Sequence, residues 1–178
     1  MRPRLELLET SFVERILNEA IQLLNAPGCR VQDPEAVELL ASSGAGVDGE
    51  VVRIPEPLVR QALATVPREF TVHDRAGVPA VCYAGDAVHF DPGSSAVNIL
   101  DPQTRRHRPA VANDLVRLVQ VAEVIPQYAA QSTAAVCSDV PKEIGDLYRL
   151  FLVLLYSAKP VVTGAFAAAT LPHMIDLL

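Results

Sequence analysis

The chain has 178 residues, half of them hydrophobic and 20% charged, which is enough for one ordinary core and too apolar for a disordered chain. A net charge of -6, with no basic run longer than Arg105-Arg106-His107-Arg108, counts against nucleic acid and against an acidic membrane surface as partners. The three cysteines, Cys29, Cys82 and Cys137, lie far apart and fit reduced thiols of a cytoplasmic protein better than a disulfide framework or a zinc site. Met1-Arg-Pro-Arg-Leu-Glu6 has no apolar signal core, and the run Leu150–Tyr156 falls well short of the roughly 20 residues that a membrane helix needs.

In chain order, Leu5, Leu8, Phe12, Ile16, Ala20 and Leu23 recur at helical spacing, which predicts a helix from Leu5 to Ala26 stopped by Pro27-Gly28. Asp33-Pro34-Glu35 opens a short second helix: the aspartate can accept from free N–H groups, and the proline sits where no N–H is required. Val47–Ile54 reads as a hairpin with Asp48-Gly49 as a type I′ turn. Pro55-Glu-Pro57 starts a third helix that ends near Val66. A β-rich region follows, with short runs Phe70–Asp74, Val81–Tyr83, Ala87–Phe90 and Ala96–Leu100 between turn residues, expected as a small antiparallel meander. Asn113-Asp114 begins another helix, with Leu115, Leu118, Val119, Ala122 and Ile125 on one face and Pro126 at its end.

From Gln127 to Gly164 the pattern changes. An uncharged run Tyr128–Val136, a polar loop Cys137–Lys142, an amphipathic stretch Glu143–Ala158 and a second apolar run at Val161 read as strand, helix, strand. Two buried strands joined by a crossover helix make a parallel βαβ unit. Thr170 and Pro172 mark the start of a last helix, and its apolar end at Leu178 reads as a piece of a longer protein or a truncated paralogue.

The loop that leaves the first of these strands is the expected functional edge. There Asp139 could orient a substrate cation, act as a base, or cap the helix that contains Pro141. Cys137 has no histidine near it in sequence to activate it as a nucleophile. Thr163 and Phe166 close the second strand at the same edge, as pocket lining or as packing. Asp91-Pro-Gly-Ser-Ser95 could meet an anion through its backbone, but matches no phosphate-loop pattern and reads first as a turn. The basic cluster Arg105–Arg108 reads as a solvated loop, and the histidines show no metal-ligand spacing.

Several segments in order resemble the trimethylamine methyltransferase family. They are Ile16–Ala20 with Pro27–Val31, Ala36–Leu40 with Ser43–Ala45, Val52–Pro55, Leu58-Val59 with Ala62-Leu63, and Pro67. They continue through His73–Arg75, Phe90 with Gly93–Val97, Leu100-Asp101 with Arg106, Asp114-Leu115, Asp139–Pro141 and Lys159-Pro160. Two departures stand out. Val111 occupies a helix cap where the family pattern has threonine, and Ser94 occupies the place of a second glycine.

The resemblance implies an α/β fold: an N-terminal helical and β-meander extension, then the first βαβ unit of a TIM-type barrel, incomplete here because a barrel needs eight strands in about 250 residues. It divides the chain into a helical subdomain (1–68), a β-rich meander (69–110) and a truncated barrel start (111–178). It also implies transfer of a methyl group from a tertiary or quaternary amine, trimethylamine or glycine betaine among them, to a corrinoid (cobalamin) carried by a partner protein, with no cofactor bound directly. In trimethylamine-specific members a pyrrolysine lies well downstream of the matched region. On this reading Ser138, Asp139, Thr163 and Phe166 are candidate substrate-binding residues, Tyr128 is a further aromatic candidate, no residue is assigned a catalytic role, and a homo-oligomer stays open. The chain alone is expected to show no turnover. The alternative is a non-catalytic domain that binds a partner or a missing barrel half.

Overall fold

The computed structural model describes residues 7–178, which form two compact units divided between Pro67 and Arg68. No helix of the described residues is long and apolar enough to cross a membrane.

In the first unit, α1 spans Thr10–Asn25, not Leu5–Ala26; Glu9 is its extended cap residue, and Leu5 lies outside the described residues. Gly28 ends the turn after it at φ +73°, and a Cβ there would lie 2.5 Å from the Val52 carbonyl oxygen, so both conformation and space demand glycine. The chain then forms β1 (Cys29–Arg30), α2 (Pro34–Ser42), β2 (Gly46–Asp48), β3 (Val51–Arg53) and α3 (Glu56–Ala64). Asp33 caps α2 as its sequence predicts, its carboxylate accepting from Ala36 N–H at 2.9 Å. The sheet order is β1-β3-β2, antiparallel throughout, with Val52 of the central strand fully buried. The β2–β3 turn is Gly49-Glu50, with Asp48 in the strand and positive φ only at Gly49. That is the type II′ pattern rather than type I′, because only the first central residue is left-handed.

In the second unit, β4 (Glu69–His73) and β5 (Pro79–Ala84) pair as one antiparallel hairpin, and β6 (Asn98–Leu100) and β7 (His107–Pro109) as another. The expected single meander is therefore two separate two-stranded sheets. Ala87–Phe90 is not a strand: Ala87 N–H closes a turn on Ala84 O, and only Phe90 bridges, in parallel, to Tyr128. Part of the basic cluster is strand, not solvated loop. Arg108 lies in β7 and reaches the Asp101 carboxylate at 3.1 Å and both oxygens of Asp114 at 2.6 and 2.9 Å.

The chain continues with α4 (Ala112–Val124), β8 (Gln131–Ser132), a 3-10 turn (Lys142–Ile144), α5 (Gly145–Tyr156), β9 (Val161–Val162), a 3-10 turn (Ala168–Thr170) and α6 (Leu171–Asp176). β8 and β9 pair in parallel, as two apolar runs joined by a helix require. The run around β8 is longer than its two paired residues: a parallel bridge joins Ala96 to Ala135, and Ala96 N–H donates to Ala134 O while Val136 N–H donates to Ala96 O. Leu115 and Val119 of α4 and Leu152 and Val153 of α5 close on Ala134, Ala135 and Cys137 to make the core. At the opposite end, Lys159 Nζ donates to Ala122 O and Ile125 O, covering carbonyls that end α4, while Glu123 accepts from Ser157 and Ala158. Burial works to raise the Glu123 carboxyl, but these donors together with Gln131 and the charge of Lys159 hold it below its ordinary range.

The Arg108 clamp carries a pH signature. Thr104 N–H and Arg108 hold the Asp101 carboxyl down to about 2, and Arg108 also lowers Asp114. Carboxyls depressed in the fold contribute stability that is present above their unfolded pKa and lost as pH falls through the folded one. Stability is therefore expected to hold down to about pH 4 and to decline from there toward pH 2. Urea titrations across this range check it, and Arg108→Met is expected to flatten the decline.

Candidate functional site at the C-terminal edge of the parallel strands

Polar side chains gather where β8 and β9 end. The first turn of α4 is tied to the loop after β8, and the first turn of α5 to the segment after β9. The candidates from sequence do not all share one cluster. Ser138 is exposed, and its N–H donates to Ala110 O at 2.8 Å. Asp139 is exposed, and its carboxylate accepts from Ala112 N–H, the first residue of α4, at 2.8 Å. So Asp139 caps a helix, but one that starts 27 residues earlier and not the helix after Pro141. It supplies the acceptor that Val111 lacks. Asp114 completes the cap by accepting from Val111 N–H at 3.0 Å. Asp139→Ala is expected to cost about 1 kcal/mol, measured by chemical denaturation, with Asp139→Asn retaining part of it.

Thr163 and Phe166 belong to a second cluster, built on Arg149. Thr163 Oγ1 and Thr133 Oγ1 are 2.9 Å apart across the strand ends. Ser94 Oγ lies 3.5 Å from Thr133 Oγ1 and 3.2 Å from Ser95 Oγ, so the four hydroxyls form a continuous row. Ser95 stands at φ +65°, a left-handed conformation unusual for a residue with a Cβ, and this turns its side chain into the row. The Ser94 substitution thus brings a hydroxyl into the cluster, where it also donates to Thr133 O.

Behind the row is Arg149, 1% exposed. Its Nη1 donates to Ser95 Oγ at 3.3 Å and to Thr133 O at 3.2 Å, and its Nη2 sits 3.5 Å from Asp146 Oδ1. Its Nε has no hydrogen-bond partner. Loss of hydration on burial pulls the guanidinium below its ordinary pKa, and the Asp146 charge opposes that shift. The other oxygen of Asp146 accepts from the N–H groups of Phe166 and Ala167 and from the Thr170 hydroxyl, which fastens the segment after β9 to the first turn of α5. Phe166 lies over Arg149, with the guanidinium carbon 4.4 Å from the ring centroid. Its inner face is therefore taken by a cation already, and only its outer face is open to a second one.

Cys137 is buried, and desolvation followed by the nearby Asp139 charge pushes its thiol up, away from a reactive thiolate. Tyr128 bridges to Phe90 and lies among the residues before β8, away from this edge. Sequence reasoning passed over Arg149 and Asp146. The signal was present: an oppositely charged pair at i, i+3 within a helix whose neighbouring residues, Leu150, Leu152 and Val153, are buried core.

In α/β proteins a parallel βαβ unit carries its functional groups at the C-terminal ends of its strands, the edge where these polar groups lie. The family model described as trimethylamine methyltransferase (MTTB) matches residues 1–178. The chain belongs to that family. It is 23% identical to a trimethylamine methyltransferase of Desulfitobacterium hafniense, over 84% of this chain and 30% of the relative. To a proline betaine:corrinoid methyltransferase of Eubacterium limosum it is 26% identical, over 86% of this chain and 32% of the relative. A glycine betaine methyltransferase of Desulfitobacterium hafniense shows 25% identity over 88% of this chain and 33% of the relative. The chain spans about a third of the length of the curated relatives it matches.

Proposed function

We propose that the chain is the N-terminal portion of a methyltransferase that moves a methyl group from a tertiary or quaternary methylated amine to the cobalt of a corrinoid carried by a partner protein. The observation that carries this reading is the family match over the entire chain. The parallel β8–β9 pair with α5 between them supports the structural half: these are the first two strands of a TIM-type barrel, and later strands would continue the sheet from β9. A groove of about 590 Å³ lies beside β9, lined by Val72, Arg75, Leu154, Val161 and Thr163 among others. The location belonging to this reading is the cytoplasm.

In such a transfer the reduced cobalt supplies an electron pair to the methyl carbon, the carbon–nitrogen bond breaks, and the amine leaves with that bonding pair. The protein's work is to align amine and acceptor and to exclude water. On this reading Thr163 and the outer face of Phe166 would line the amine side. Ser138 and Asp139 are engaged in the α4 cap and shape the neighbouring loop. The test is methyl transfer itself. The complete reading frame that includes these residues is incubated with a corrinoid protein reduced to Co(I) and with trimethylamine, glycine betaine or proline betaine, and methyl-cobalt formation is followed by its absorbance. Transfer is expected with one of these amines, and with none from residues 1–178 alone. Absence of transfer with every methylated amine overturns the reading.

A further inference from the structure

The helix α5 buries one side and leaves the other uncovered. Asp146, Arg149, Leu150, Leu152 and Val153 are buried, with Leu152 and Val153 against the strands. At 3.6 residues per turn, Tyr148, Phe151 and Leu155 fall on the opposite side, and Ile144 leads into the same stripe from the 3-10 turn before the helix. Ile144, Phe151 and Leu155 are 47%, 42% and 54% exposed, and Tyr148 is half-buried with its ring centroid 6.2 Å from that of Phe151. A helix that covers a sheet ordinarily turns charged and polar residues to water on its far side. The charged residues of α5 are Asp146 and Arg149, and both are buried, so its far side carries no charge. Strands added beside β9 would bring their helices alongside α5, and not over a side that points away from the sheet.

We propose that this stripe is the contact between two copies of the chain, packed antiparallel across a two-fold axis. Ile144, Tyr148, Phe151 and Leu155 are spaced four, three and four residues apart. Alternating steps of four and three keep one seam of two packed helices in contact. This spacing also reads the same in both directions. A second copy laid antiparallel therefore sets Ile144 against its Leu155 and Tyr148 against its Phe151, and the reverse pairs repeat them, as an isologous contact requires. Charge favours the same occupant. Each copy carries a net charge of -6, so two copies repel where acidic faces meet, and the far side of α5 lets them meet without charge. A protein docked transiently is met through a more polar surface, whereas apolar, aromatic contacts without charge are the mark of lasting subunit pairing. The inference is independent of the methyl-transfer reading.

Sedimentation velocity of the 178-residue chain, and of the complete reading frame that contains it, reads the association directly. Both are expected to show reversible dimerisation at concentrations up to about 0.3 mM, and Phe151→Glu is expected to weaken the dimer at least about thirtyfold. Circular dichroism and the urea midpoint of Phe151→Glu are expected to match the unaltered chain when both are dilute enough to be monomeric. Orientation is read by disulfide trapping in a Cys29→Ser, Cys82→Ser background, which removes the exposed native thiols. Ile144→Cys mixed with Leu155→Cys is expected to give a covalent dimer, and neither variant alone is. The inference is overturned if both proteins stay monomeric, which leaves the stripe to a different protein. It is overturned if only the 178-residue chain dimerises, which gives the stripe to later residues of the same protein. Dimerisation of Phe151→Glu equal to that of the unaltered chain overturns it too, as does cross-linking of either cysteine variant with itself, the mark of a parallel pair.

Discussion

Asp146→Ala is expected to destabilise the chain by about 3–5 kcal/mol, because it leaves a buried guanidinium without its counter-charge. Arg149 has no water to fall back on at 1% exposure. The same substitution strands the N–H groups of Phe166 and Ala167 and the Thr170 hydroxyl, which all converge on one carboxylate oxygen. Asp146→Asn keeps an oxygen for those donors and loses the charge, so the difference between the two variants separates the loop anchor from the ion pair. Arg149→Met in the Asp146→Ala background is expected to recover part of the loss, since removing both charges avoids an uncompensated one. Urea denaturation followed by circular dichroism gives all four values. A loss below about 1 kcal/mol for Asp146→Ala would show that the pair is solvated and that the cluster is not built as described.

Leu115→Ala is expected to cost about 2–5 kcal/mol by removing buried methyl groups and leaving a cavity. Leu115 is fully buried against Ala134, Ala135, Cys137 and Val153, small or β-branched neighbours with little freedom to refill the space. Leu118, one turn on and on the outer side of α4, is 39% exposed. Leu118→Ala is the internal control, expected to stay within roughly 1 kcal/mol of the unaltered chain. Equal costs for the two would mean that α4 presents a different face to the strands.

Much of the fold is legible in sequence because its signals are local. The 3.6-residue spacing of Leu115, Val119 and Ala122, the Asp33-Pro34 start and the small-residue run before Cys137 each declare an element from within a few residues. The two hairpins misread as one meander are not local. Whether β5 is followed by a further partner or by a crossover to Tyr128 depends on which strand Phe90 meets, and short alternating runs say nothing of that. The basic cluster hid a strand because Arg108 is paid for by two carboxylates, one of them on α4. The site divides in the same way. Thr163 and Phe166 are singled out in sequence because they follow an apolar run, whereas the partner of Asp139 and the contact of Ser95 with Arg149 span 27 and 54 residues.

The cap that Asp139 lends to α4 also sets an order of events in folding. A helix with its own Ser or Thr cap can complete its first turn before anything else forms, but α4 has Val111 as its cap residue and takes an acceptor for Ala112 N–H from beyond β8. Asp114 caps Val111 N–H locally, but the Ala112 amide is expected to gain its acceptor only when the strand has docked and the Cys137–Pro141 loop has come round, a longer loop to close than a local cap. In the native state the Ala112 amide becomes a reporter on that loop: its hydrogen exchange tracks each opening of the strand end, and not the fraying of the helix it belongs to.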